Sequence, residues 1–497
     1  MTFSSHKRYL LILLLIVGIL LTGYIVYHAS HLGDYSFPLD DTWIHLTYAR
    51  NLARHHSFTY YPGAPPSSGS TAPLYTAFLA LGFLISDHEI MVGLAAGMLF
   101  YFALIILFYH LSAKFLSNNY LMAAGLTLFL ISDWRILWSA LSGMETTCFI
   151  FILLLMIWFA RKREQRNYLI TGIMGGIAIW IRPESVILAG LLFIYFSWPK
   201  EYRKKGTIMF LCGYLPFVFL YFAFNLLLSG RLLPNSFYAK GEFYRQFSRL
   251  EYIWDAMKFF FEPHVIPFIP FAFASLYKST KQLIKGTFSL EAIFCYFPLI
   301  LIAAYAWRIP LLFERGRYLQ PAIPFLYLAA SPVLLSFMEK IAPNRKMIFY
   351  LKWVPLLLIL ACMILAFFQR FEYYVDSKYI YIRHVTTARW VNDNIPEGEI
   401  LATHDVGAMG FYSGHPIFDL AGLVTEGTAK FMGHPDKQKE LLAENNVNYL
   451  VMAPDWEQLV PLLTILPRQH LFPYVEDYRD SAVMPMLVFH IKPDANL

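Results

Sequence analysis

The stretch DDTWIHLTYARN at 40–51 sets two carboxylates, Asp40 and Asp41, side by side just after the first long apolar run. A carboxyl group beside a second acid, at the edge of a low-dielectric region, has a raised pKa. It can then take a proton from a hydroxyl nucleophile near neutral pH. Asp40 and Asp41 are therefore the candidate catalytic pair. Residues 42–54 have helical spacing, with Ile44, Tyr48 and Leu52 on one stripe beside Ala49 and Ala53, and with His45, Arg50 and Arg54 elsewhere. That pattern predicts an amphipathic helix next to a membrane. Asp41 is then either its N-cap, accepting first-turn N–H bonds, or a partner of Asp40. Solvation of both acids in a loop is the plain alternative.

Other residues suited to binding lie further along. Tyr61 opens the Pro- and Gly-rich segment YPGAPPSSGSTAPL, a fixed loop that turns the chain back toward the membrane. It reads as a site-forming loop or as a linker. Glu145 starts an apolar run and suits the positive end of a helix. Arg182 and Glu184 flank Pro183 at a turn between two short runs, where they either bind substrate or neutralise each other. Tyr238 and Lys240 belong to LLPNSFYAK, and Arg317 to ERGRY. With Arg50, these residues make up the candidate substrate-binding set. Arginines and a lysine converging on one face suit a phosphate or diphosphate, although each taken singly also suits interfacial snorkelling.

The elements that must carry these residues are mostly membrane helices. Of 497 residues, 57% are hydrophobic and only 15% charged, against about a quarter charged in soluble domains. The net charge of +6 is not gathered into an exposed basic patch, which argues against a nucleic-acid partner. Cys148, Cys212, Cys295 and Cys362 all lie within apolar runs and lack metal-ligand spacing. Neither a metal site nor a disulfide framework is expected. The first run, 10–27, follows Lys7-Arg8 and is too long for a cleaved signal, so it reads as an anchor.

Further spans are expected near 90–112, 118–132, 144–160, 167–182, 184–198, 206–228, 264–277, 288–307, 318–338 and 347–368, about eleven in all. Basic connecting segments alternate with less basic ones, which puts the N-terminus in the cytoplasm and the C-terminus outside. Run 71–85 is too short to count as a span and reads as an interfacial helix in the first outer loop. Residues 1–370 form the membrane module. Residues 371–497 change character, with a helix at 383–394 and strands near 399–404, 447–452 and 486–491. They read as an extracytoplasmic α/β domain.

The blocks DDTWIHLTYARNLARHHSFTYYPG, GSTAPLY, SGMET, IRPES, LLPNSFYAKG, GRYLQPAIPF and HDVGAMGFYSG resemble membrane glycosyltransferases of the GT-C fold. They are most similar to the branch containing the mycobacterial terminal arabinofuranosyltransferases. The chain departs from that branch at 66–70, with SSGSTAPL where relatives carry a glutamate–glycine–tyrosine run before Thr-Ser-Pro-Leu. This bears on the sugar or acceptor more than on the reaction. The resemblance implies a polyprenyl-phosphate sugar donor used at the outer face of a bacterial cytoplasmic membrane, a cell-envelope glycan or lipid acceptor, and inversion at the anomeric carbon. It implies Asp40 as base, Asp41 orienting it or capping the helix, and Arg182, Lys240 and Arg317 as ligands of the phosphate. No cofactor is implied, and relatives differ in metal use. The competing class, a transporter or flippase of a lipid-linked sugar, calls for charges at the midplane or paired broken helices. This chain keeps its acids and most arginines at one face.

Overall fold

A computed structural model describes residues 3–198, 203–244, 247–341, 345–473 and 483–492. Among the described residues, six helices are long and apolar enough to cross a membrane: His6–Leu32, Glu89–Phe115, Lys204–Ser229, Leu290–Arg308, Ala322–Ile341 and the apolar front of Trp353–Asn394. A pair bent by 65°, Tyr120–Ile131 and Trp134–Leu141, makes a seventh if read as one span. The lipid-facing flanks stay apolar, as at Ile19 (67% exposed), Phe219 (73%) and Leu227 (85%), patches that only a bilayer or a partner would cover. The chain is thus a multi-pass membrane protein.

The other four expected spans are helices too, but short: Thr146–Ala160, Gln165–Ile179, Ser185–Ser197 and Ile269–Ile284. A 15-residue helix covers about 22 Å, less than the roughly 30 Å hydrocarbon core. Among the described residues, six helices, or seven with the bent pair, thus have full-span length, and the other four of the eleven expected spans are shorter helices. The physical reason is visible at two of the breaks. Glu145 is the N-cap residue of the first short helix and Glu184 that of the third, acids that turn into the protein and pair with Arg182. Run 71–85 forms the 11-residue helix Pro73–Phe83, with proline at its first position, where the missing N–H costs nothing.

The bend between Tyr120–Ile131 and Trp134–Leu141 is held by a buried ion cluster. Asp133 accepts the Arg135 backbone N–H at 3.1 Å and so caps the second helix. Its carboxylate also pairs with the Arg135 guanidinium at 2.7 Å and with His264 Nε2 at 2.8 Å.

Past the last span, the described residues form one sheet of five strands: β1 (Leu401–Thr403), β2 (Ile417–Asp419), β3 (Tyr449–Met452), β4 (Arg468–Phe472) and β5 (Leu487–Ile491). Their order is β2-β1-β3-β5-β4. β1 pairs in parallel with β2 and β3, while β5 runs antiparallel to β3 and β4. The three expected strands are present, shortened by one to three residues, and β2 and β4 are additional. The Asp40–His55 helix lies beneath this segment. It is buried on nearly every side, His45 and Thr47 included, so the expected amphipathic face is covered. Ile44 and Tyr48 join Val406 and Met409 in one apolar cluster.

Candidate active site

The Asp40–His55 helix begins with the acids themselves. Leu39 is the N-cap in extended conformation, and no side chain caps the helix. The expected cap role of Asp41 is thus replaced by a different arrangement in which the two carboxylates diverge. Asp40 reaches the C-terminal segment, where Oδ2 accepts the Gly407 N–H at 2.7 Å and Oδ1 the Ala408 N–H at 2.8 Å. Gly407 and Ala408 open the short helix Gly407–Tyr412, so Asp40 takes up free donors of a remote helix start. Gly407 is required by this approach, since a Cβ there would sit 2.7 Å from Asp40 Cγ and closer still to the Asp40 carbonyl oxygen.

Asp41 turns toward two cations. Its Oδ2 lies 2.5 Å from Arg317 Nη2 and 3.2 Å from Lys240 Nζ. The Tyr318 hydroxyl stands 3.3 Å from both cationic nitrogens. Burial alone would raise the Asp41 carboxyl, but Lys240 and Arg317 outweigh it and hold the group well below the usual carboxylate range. Asp40 behaves in the opposite way. Burial, then the charge of Asp405, push it up to about 7 against the pull of the two backbone bonds. The neighbours are therefore electrostatically split, one a fixed anion and the other titrating near neutrality, the division expected of acid–base sites.

Both acids line a cavity of about 620 Å³, together with Lys240, Arg317, Tyr318 and Glu314. The loops after all three parallel strands close it: His404 and Asp405 after β1, Ala421 and Leu423 after β2, and Trp456 after β3. Ligands of parallel sheets sit at these carboxyl ends. His404 Nε2 lies 3.2 Å from Asp405 Oδ2. His384 Nδ1 lies 3.7 Å from Asp40 and 3.9 Å from Asp405, and burial pushes this imidazole down to about 4. Burial would raise Asp405, but His404 foremost, with His384 and Arg383, holds it low. A permanent anion thus faces Asp40.

Opposite, Glu314, Arg315 and Gly316 take left-handed φ values of 51°, 57° and 67°. This costs about 1–2 kcal/mol at each non-glycine position. Ion pairs hold the turn, with Arg315 on Asp376 at 2.7 Å and Glu372 at 2.9 Å, and Arg317 Nε on Glu314 at 2.7 Å.

Of the residues singled out in the sequence, Asp40, Asp41, Lys240 and Arg317 meet in this cavity, and the others do not line it. Arg182 sits behind Tyr318, with Cζ 4.8 Å from the ring centre. It is paired with Glu145 at 3.4 Å and Glu184 at 2.9 Å, and Glu184 also accepts the Tyr305 hydroxyl. Arg182, Glu145 and Glu184 thus neutralise one another in a buried layer that backs the cationic wall. Arg50 clamps Glu89 at 2.6 Å, donates to the Phe411 carbonyl at 2.8 Å and stacks on the Phe411 ring, tying three segments together. Tyr238 carries the Arg231 guanidinium over its ring, and Tyr61 packs against the apolar cluster under the sheet. The residues that sequence reasoning did not single out are His384, His404, Asp405, Glu314 and Tyr318. The signal available for His404 and Asp405 was their place directly after a strand and before a glycine. Among the described residues, no group of three or more His, Cys, Asp or Glu side chains is arranged to hold a metal ion.

Comparison with known proteins adds the following. Residues 375–485 match a family described only as a domain of unknown function, DUF8728. No curated protein matches the chain. Among solved structures, the chain is similar to ArnT from Cupriavidus metallidurans bound to undecaprenyl phosphate, with a TM-score of 0.56 and 13% identity over 96% of this chain and 97% of that one. It is also similar to the Archaeoglobus fulgidus oligosaccharyltransferase in the apo form, with a TM-score of 0.62 and 13% identity over 90% and 70% of the two chains. The same archaeal enzyme, AglB, in complex with an inhibitory peptide and a dolichol-phosphate, gives 0.59 and 13% over 91% and 70%. At this identity the likeness is one of fold, that of the GT-C membrane enzymes with a C-terminal domain.

Proposed function

We propose that the chain is an inverting glycosyltransferase that moves a sugar from a polyprenyl-phosphate donor to a glycan or lipid acceptor of the cell envelope. The observation that carries this reading is the cavity itself. In a GT-C fold, one chamber holds a carboxylate titrating near neutrality, Asp40, and a separate cationic pair, Lys240 and Arg317. Asp40 takes the proton of the acceptor hydroxyl. The freed oxygen attacks the anomeric carbon, and the bonding pair of the anomeric C–O bond leaves with the phosphate. That phosphate gains negative charge as the bond breaks, and fixed cations stabilise such charge best in a site already organised for it. Arg182, paired with Glu145 and Glu184 behind Tyr318, backs this wall structurally and does not contact the donor. The undecaprenyl phosphate bound to ArnT and the dolichol-phosphate bound to AglB support a lipid-phosphate donor.

The same reading divides the chain into a membrane module at 1–370 and an extracytoplasmic α/β domain at 371–497, with the chemistry at the outer face of a bacterial cytoplasmic membrane. The charge asymmetry of the connecting segments supports that orientation. The resemblance of the first block supports a pentosyl or hexosyl unit. Mass spectrometry of envelope glycans tests the reading: cells with the chain carry a glycan that cells without it, or with Asp40→Asn, lack. Binding of undecaprenyl phosphate to the purified protein tests the cationic wall. Lys240→Ala and Arg317→Ala each weaken it about 10-fold or more, the worth of one charge-assisted contact. A glycan unchanged by Asp40→Asn would refute the assignment of the base.

A further inference from the structure

The cations assigned to the donor phosphate are already occupied. Asp41 Oδ2 is shared by Arg317 and Lys240, the arrangement one phosphate oxygen would adopt. Glu314 Oε2 takes the Nε edge of the same guanidinium at 2.7 Å. The order of burial is telling. The Arg317 side chain is 3% exposed, while Asp41 is 24% and Glu314 18% exposed. A ligand entering from the cavity therefore meets the two carboxylates before it meets Arg317. Lys240 and Arg317 supply two positive charges, Asp41 and Glu314 two negative ones, and an arriving phosphate makes that balance negative. Arg317 Nε and Nη1 and Glu314 Oε2 are buried without a hydrogen-bond partner among the described residues, so Glu314 holds Arg317 as an ion pair without hydrogen-bond geometry, and the guanidinium has donors to spare. Glu314 sits on the left-handed turn at φ 51°, and strained backbone of this kind persists where surrounding contacts over-determine it.

We propose that Glu314, with Asp41, stands in for the donor phosphate on Arg317 and Lys240, and that the lipid phosphate enters by displacing Glu314, which takes up a proton as it leaves the guanidinium. This rests on the reading of Arg317 and Lys240 as phosphate ligands. The proton comes from solvent, and Glu314 returns it when the phosphate departs, so charge and atoms balance over a cycle. Glu314 is suited to the exchange. Burial lifts its carboxyl to about 7 against the pull of Arg317, with Asp41 raising it further. The charged and titratable groups around it are Arg317 and Arg315 on its own turn, Asp41 on the Asp40–His55 helix, Lys240 on the helix Asn235–Phe243 and Tyr244 just past its end, Tyr318, and Glu145 beyond. Asp41 is held well below the usual carboxylate range by Lys240 and Arg317, so Glu314 is the member of the pair that releases by protonation.

The test is the affinity of the full-length protein in nanodiscs for undecaprenyl phosphate, measured at pH 6 and pH 8 for the parent, Glu314→Gln, Asp41→Asn and Arg317→Ala. When a competent form is only fractionally populated, apparent affinity falls by that fraction. A group titrating near 7 is about one-tenth protonated at pH 8, so Glu314→Gln binds about tenfold tighter than the parent there and about equally at pH 6. The second pKa of the phosphate itself affects both proteins alike and cancels in this ratio. Asp41→Asn, which frees the shared oxygen site, tightens binding at both pH values. If Arg317→Ala weakens binding but neither Glu314→Gln nor Asp41→Asn tightens it at pH 8, the exchange is wrong and the phosphate site stands. If Arg317→Ala leaves affinity unchanged, both fall together.

Discussion

Gly407→Ala isolates the geometry of Asp40 without touching a charge. Gly407 donates its backbone N–H to Asp40 Oδ2 at 2.7 Å, and the Cβ of alanine would fall 2.7 Å from Asp40 Cγ. Ordinary carbon contacts begin at 3.4 Å. The carboxylate must therefore retreat by about 0.7 Å, and by more where the carbonyl of Asp40 is crowded. Neither the start of the Asp40–His55 helix nor the end of β1 can give way cheaply, since Leu39, Val406 and Ala408 are all buried. A misplacement of about 1 Å at a reacting group costs on the order of 100-fold in rate, close to 2.7 kcal/mol of barrier. The assay is glycan product formed per unit of folded protein in membranes, read by mass spectrometry, beside undecaprenyl-phosphate affinity. The expected result is a rate loss near two orders of magnitude with affinity within about twofold of the parent, because Lys240 and Arg317 hang on other elements. Gly190→Ala, where an added Cβ meets nothing within 4 Å, is the matched control. A Gly407→Ala protein working at more than about a third of the parent rate would refute Asp40 as a positioned base. Equal losses of rate and lipid affinity would refute the separation of the two poles of the cavity.

Four further outcomes follow from the same geometry. Asp40 must be ionised to accept a proton, so turnover climbs with pH and levels off above about 7; a rate already flat from pH 5 would contradict this. The folded pKa of Asp40 lies above its unfolded value near 4, so the native state binds the extra proton between about 4 and 7 and stability falls as pH rises there. Asp40→Asn removes that slope, leaving a product-deficient protein whose melting temperature no longer falls between about pH 4 and 7, although losing one of the two acceptors for the Gly407 and Ala408 N–H groups lowers it overall. Asp133→Asn strips a buried carboxylate from Arg135 and His264 and costs about 3–5 kcal/mol, read as a lowered melting temperature in detergent; an unchanged transition would mean that the cluster does not hold the bend. Arg50→Ala loosens the clamp on Glu89 and Phe411 but leaves undecaprenyl-phosphate affinity within about twofold, since one such ion pair is worth roughly 1–3 kcal/mol of stability and none of donor contact.

What the sequence made legible was local. Apolar runs marked the helices that were expected, because that signal lives within a few turns of one segment. Asp40, Asp41, Lys240 and Arg317 stood out because polar groups beside spans are costly. Their roles were not legible, since they are set by contacts across 276 residues from Asp41 to Arg317 and 367 from Asp40 to Gly407. Asp41 read as a cap because a cap is the nearest service an acid can perform at a helix start. In the folded protein the acid doing cap work is Asp40, for a different helix, and Asp41 is held by cations from two other segments.

The short spans are illegible for a related reason. A polar residue that ends an apolar run looks the same whether it meets the membrane surface or a buried partner. Glu145, Arg182 and Glu184 each end a run, and only their mutual pairing says that the ends face inward. The C-terminal segment carried the one long-range clue that was present. Three short parallel strands are each followed by a polar or glycine-bearing turn: His404-Asp405 after β1, Ala421-Gly422 after β2 and Asp455-Trp456 after β3. Parallel strands gather such turns at one edge of the sheet. Recognising 417–419 as a strand would have placed the sheet's carboxyl edge, and with it Asp405, over the membrane-proximal acids. A three-residue strand has too few alternations to declare itself, so Asp405, the anion that faces Asp40, emerges only once the sheet is assembled.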